Sequence, residues 1–130
     1  MKSYTDLEQS KKLEKILPLE SADLYYDISF DNDYHINMPT NGYFSNKRFF
    51  IQFPETVPCW SLASLLNYLR EIEFFPEIEV DEHGVTMSIC YYDNEEGEIL
   101  VPIHDIMVKA ESFIDACYEI ILKLHEQKIL

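Results

Sequence analysis

The chain has 130 residues, with ten Lys and Arg against 24 Asp and Glu, a formal charge of −14 at pH 7. That length supports one domain over residues 1–130 with a core built without disulfide or metal staples, and 47% apolar residues with only three glycines argue against a disordered tail. The charge excludes the basic face with which a direct nucleic-acid binder displaces counterions, and it disfavours an anionic membrane surface for the same reason.

The N-terminal stretch MKSYTDLEQSKKLEKIL is charged throughout. It lacks the apolar run of about seven residues that a secretory signal needs, and no segment approaches the roughly 18 consecutive apolar residues of a membrane span. A first helix is expected from Thr5, where TDLE reads as a capping box between Thr5 and Glu8. Leu7, Leu13, Ile16 and Leu17 give it a partial apolar stripe, and Pro18 stops it. ADLYYDISF then alternates Leu24, Tyr26, Ile28 and Phe30 against Tyr25, Asp27 and Ser29, the pattern of a half-buried strand. DND can turn it into a short partner, YHINM, before the loop PTNGYFSN. KRFFIQF follows as a strand with Phe49, Ile51 and Phe53 on one face.

A second helix is expected from Pro58 to Glu73, and after it a three-strand meander: EIEV, the turn DEHG, VTMSICYY, the turn DNEEGE, and ILVPIH. Pro102 cannot donate to a ladder, so the last strand should be an edge or bend there. Phe113, Ile114, Cys117, Ile120, Ile121 and Leu124 recur at helical spacing and predict a final helix over 111–128, with SFID as its cap. The order predicts an α+β domain. A mostly antiparallel sheet of five to six strands would be covered on one face by three helices.

VPCWSLASLL carries the one catalytic suggestion. Cys59, Trp60 and Ser61 share the Cys-Trp-Ser core of the papain-type nucleophile, CGSCW, but Thr56 and Pro58 depart from the preceding residues. Only 71 residues follow Cys59, too few for that family's distant histidine. A compact cysteine hydrolase would have to pair Cys59 with His83 or His104. A helical wheel instead puts Cys59 on one stripe with Leu62, Leu65, Leu66 and Leu69, and free cysteine commonly behaves as a small buried hydrophobe. Cys117 falls in the last helix's stripe, while Cys90 alternates out of phase with Met87, Ile89 and Tyr91 and should be more exposed. Three cysteines without a CxxC fit reduced thiols in a cytoplasm.

The four histidines show no metal-ligand spacing. DNDYH and DNEEGE do not match a calcium-binding loop and read as turns. With no phosphate-binding glycine loop either, the expectation is no cofactor, no metal, and binding rather than catalysis.

The acids are clustered: between Glu71 and Val108 there are eleven, including Glu95, Glu96 and Glu98, and no Lys or Arg. On a strand, Glu77, Glu79 and Asp81 share one face at intervals of about 6.6 Å, a spacing comparable to phosphates along DNA. Such a row suits a partner with a basic surface, such as a DNA-binding protein or a cationic toxin. The same acids could serve only to keep a sheet soluble and its edges unpaired. Tyr25, Phe50 and Tyr92, expected on the outer strand face, add anchors for a protein interface or for a second copy in a homodimer.

LEQSKKLEKILPLESADLYY, VPCWSLASLL and SFIDACYEIILKLHEQKIL together resemble a group of small proteins of gut-bacterial genomes and their phages or mobile elements. That group has no assigned activity, so the resemblance implies no role for any residue. It implies a phage-related accessory function, where acidic mimics and inhibitors occur.

Overall fold

The structure is a computed structural model that describes residues 2–28, 34–38, 50, 53, 55–92 and 100–130. The fold is α+β, with helices α1 (Leu7–Leu13), α2 (Leu62–Glu71) and α3 (Phe113–Glu126). Strands are β1 (Leu24–Ile28), β2 (Tyr34–Asn37), β3 (Val57–Cys59), β4 (Phe75–Asp81), β5 (Gly84–Tyr92) and β6 (Leu100–Ala110). Among the described residues the strands form two three-stranded antiparallel sheets, ordered β2-β1-β3 and β4-β5-β6. The sequence suggested one sheet; alternation and turn residues specify hairpins but not which hairpins share a sheet. The chain divides into two compact units, residues 4–64 and residues 65–130 together with 1–3.

In the N-terminal unit β1 and β2 pair as expected from DND, with Tyr25 opposite Asn37 and Tyr26 opposite Ile36. The turn itself, and most of the strand expected in KRFFIQF, lie outside the described residues. The expected helix start at Pro58 is corrected by the structure. Residues 57–59 form a buried edge strand against β1, pairing Cys59 with Leu24 and Pro58 with Tyr25. An edge tolerates the proline's missing N–H, and α2 begins only after Ser61, whose hydroxyl accepts from Ser64 N–H at 3.2 Å. Asp23 holds that junction by accepting from the Ser61 backbone N–H at 2.9 Å and from the Ser61 hydroxyl. Phe50, expected to face outward on the KRFFIQF strand, is instead helical and buried.

The cap of α1 is also one residue later than expected. Asp6 accepts from Gln9 N–H at 2.8 Å, and the Gln9 amide oxygen accepts from Asp6 N–H at 3.0 Å, a reciprocal capping box. Thr5 is fully buried and bonds elsewhere. Tyr26, Val57 and Cys59 form a small core with Leu7, Leu24 and Ile36 packed against it.

In the C-terminal unit the meander has the expected order, and β6 runs on to Ala110, beyond ILVPIH. Pro102 lies on this edge strand opposite Cys90, where the ladder shifts register between Ser88 and Cys90. Gly84 adopts φ +135°, and a Cβ there would sit 2.4 Å from the Ala110 carbonyl oxygen, so no other residue fits this corner. The helix α3 packs on β5 and β6, with Ile114, Cys117, Ile120, Ile121 and Leu124 fully buried, as their spacing predicts. Ser112 caps it by accepting from Asp115 N–H at 3.1 Å, and Lys2 pairs with the Asp115 carboxylate at 2.7 Å. A helix about 10 Å across covers roughly two strands spaced about 4.8 Å apart. The third strand, β4, is therefore left outside its cover. No helix among the described residues is long and apolar enough to cross a membrane.

Candidate interaction surface

Register places the two faces of the second sheet. Val85, Met87 and Val108 are buried and occupy cross-strand rows with Val80 and Ile78. The opposite face carries the rows Glu77–Ser88–Met107 and Glu79–Thr86–Lys109, with Asp81 beyond them opposite Gly84. Glu77, Glu79 and Asp81 are all exposed, and period-two alternation puts them on this one face as the sequence implied. Met107 is 63% exposed on the same face, across β5 from Glu77, an apolar member that sequence reasoning missed because it lies in an extension of β6 that no pattern announced.

The edge strand is unusual on its other face too. Ile78 is 38% and Val80 64% exposed, so from Glu77 to Asp81 every residue of β4 meets solvent. The strand's only described neighbour is β5, joined by uninterrupted register from Phe75 opposite Cys90 to Asp81 opposite Gly84. At the near end Tyr92 is exposed and meets Phe75 edge-on, with ring centroids 5.0 Å apart. Cys90, expected to be exposed, is 2% exposed in this row. Burial pushes its thiol pKa up, and the Glu77 carboxylate beside it adds to the rise.

Other singled-out residues are placed differently. Tyr25 is half-buried in β1, its phenol pKa raised first by burial and then by Asp27. Glu95, Glu96 and Glu98 lie outside the described residues. His83 is exposed at the β4–β5 turn, where its backbone N–H donates to Asp81 at 2.7 Å and its ring faces Glu82 at 3.4 Å. His104 has its backbone in β6; its side chain lies outside the described residues.

Cys59 is fully buried in the N-terminal unit. Its Sγ donates to the Thr5 carbonyl oxygen at 3.3 Å and lies 3.6 Å from the Thr5 hydroxyl. Burial raises its pKa, only partly offset by hydrogen bonds from Thr5 and Ser10. A nucleophilic cysteine needs the opposite, an accessible thiolate stabilised by positive charge. Around it, the Thr5 hydroxyl accepts from Trp60 N–H at 3.2 Å and shares a 2.8 Å hydrogen bond with Ser10. The Tyr26 hydroxyl donates to the Thr5 carbonyl at 2.8 Å, and the Trp60 indole N–H donates to Ser21 at 2.9 Å. This buried cluster is a structural tie, and among the described residues no buried side-chain N or O atom lacks a partner.

Among the described residues no group of three His, Cys, Asp or Glu is arranged to hold a metal ion. No protein-family model, curated protein or solved structure matches the chain.

Proposed function

We propose that the protein works by binding, without catalysis, a partner protein with a basic surface. The observation that supports this reading is the row Glu77, Glu79 and Asp81 on an exposed strand, on the sheet face opposite the one against which α3 packs. Carboxylates at about 6.6 Å intervals present a regular negative ladder, and a net charge of −14 steers cationic partners toward it. A protein whose own ligand is a nucleic-acid backbone is the basic partner such a ladder suits best, as a decoy or inhibitor. Met107, Tyr92 and Phe75 on or beside the same rows supply apolar contact that charge alone would lack. Self-association through this face is opposed by the same like charges.

The test is capture of partners from a bacterial lysate by the tagged chain at low and then high salt, compared with the triple variant Glu77→Lys, Glu79→Lys, Asp81→Lys. The expected outcome is a basic protein held at low salt by the wild type and lost from the variant. Equal retention by both proteins would leave the row with a solvating role only.

A further inference from the structure

The exposed border of β4 does more than present charge. We infer that it is a strand-addition site, at which an extended segment of the partner joins the second sheet alongside β4, its lysine or arginine side chains alternating with apolar ones. This rests on the reading above that the partner is basic, and adds the mode by which it docks.

Natural sheets protect their edges with short strands, lysines, prolines, bulges or a covering loop. β4 has seven residues in unbroken register with β5. Pro76 interrupts only its beginning, and the strand carries no lysine. Its far five residues are exposed on both faces, with Val80 64% accessible. Such an edge offers backbone donors and acceptors to an incoming strand.

The side chains decide which strand. Directly opposed like charges destabilise a pair and opposite charges stabilise it. A second copy of β4 would set carboxylates beside carboxylates, so the edge rejects itself. An incoming strand with basic residues on the Glu77–Glu79–Asp81 face would pair favourably at each position, and apolar residues on its other face would extend the surface of Ile78 and Val80. The pattern therefore selects a period-two basic and apolar segment over merely cationic ones.

The Asp81 end of the strand gives an independent indication. It opens on a cleft of about 440 Å³ whose lining includes apolar Val80, Val85 and Phe113 and acidic Asp81, Glu82 and Glu111. The apolar part of this lining lies on the Val80 face of the sheet, where it suits an apolar side chain of an incoming strand whose basic residues lie on the Glu77–Glu79–Asp81 face.

The experiment titrates the full chain with capped peptides alternating lysine and valine over about the length of β4. Two controls accompany them: the same residues in separate lysine and valine blocks, and the alternating peptide N-methylated at every backbone nitrogen. Calorimetry gives affinities, and amide hydrogen exchange reports on β4. Strand addition predicts that the alternating peptide binds, that the N-methylated form binds at least about tenfold more weakly, and that alternate β4 amides exchange more slowly in the complex. Equal binding of all three peptides overturns strand addition while leaving a charge-based basic partner intact. If Glu77→Lys, Glu79→Lys protein binds every peptide as the wild type does, the acidic-face reading falls as well.

Discussion

Replacing Thr5 with valine removes one oxygen and preserves the shape of the side chain. Thr5 is fully buried, and its hydroxyl accepts from Trp60 N–H at 3.2 Å while sharing a 2.8 Å hydrogen bond with Ser10. In Thr5→Val the Trp60 N–H loses its side-chain acceptor; Ser10 still has the Thr5 carbonyl at 3.5 Å. One orphaned buried donor costs about 1–3 kcal/mol, so the substitution should destabilise by about 2 kcal/mol. With a urea slope of about 1.5 kcal/mol per molar, the unfolding midpoint falls by roughly 1.3 M. Trp60 is the sole tryptophan, so its fluorescence reports the transition from within the cluster. Thr5→Ser keeps the oxygen and loses one methyl, and should cost about 1 kcal/mol. The tie is refuted if Thr5→Val costs less than about 0.5 kcal/mol, or if Thr5→Ser proves the more damaging of the two.

Glu73 follows α2 with φ 64°, while Phe74 N–H donates to Leu69 O at 2.9 Å, a left-handed helix stop filled by a side chain that dislikes it. Glu73→Gly should raise stability by about 0.5–1 kcal/mol, read as a higher urea midpoint. Burial pushes the Cys117 thiol pKa from an ordinary 9.0 up to about 12. The folded state thus disfavours the thiolate: this stabilisation is complete below the unfolded pKa and is lost as pH climbs toward the folded one. Between about pH 9 and 11 the wild type should lose stability more steeply than Cys117→Ala, by up to about 1.4 kcal/mol per pH unit, and parallel curves would refute the shift. Cys59, Cys90 and Cys117 are all buried with raised pKa values. Iodoacetamide should modify none of them in the native chain at pH 8 and all three in denaturant, counted by mass spectrometry; fast native labelling of Cys59 would revive the hydrolase reading.

The elements that were legible in the sequence are those whose signal is local. The six apolar residues from Phe113 to Leu124 repeat at helical spacing, and α3 buries five of them fully. The turn residues DEHG and the alternation on either side define β4 and β5 with Glu77, Glu79 and Asp81 on one face. Tertiary competition was not legible. TDLE is a sound capping box on its own terms, yet Thr5 is engaged by Trp60, 55 residues away, and the cap passes to Asp6. The helical wheel through Cys59 counted from the wrong start, because pairing with Leu24 keeps residues 57–59 extended. Cys90 alternates toward the outer face as expected but is covered there, since alternation assigns a face and not its neighbours. Ile78 and Val80 alternate with the acids toward the face on which Met87 and Val85 are buried, and their exposure follows from how few strands one helix can cover.

The strand order β2-β1-β3 also has a consequence during synthesis. The C-terminal unit's sheet joins strands consecutive in the chain, β4-β5-β6, so its contacts are local and form quickly. The N-terminal unit's sheet closes only when β3 arrives beside β1, and Thr5 meets its Trp60 partner across 55 residues. While residues up to about 50 have left the ribosome and β3 has not, Leu7, Leu24 and Tyr26 lack Val57 and Cys59, against which they pack. The first half of the chain to be made therefore spends that interval with its apolar surface uncovered, the moment at which a nascent chain most depends on chaperones.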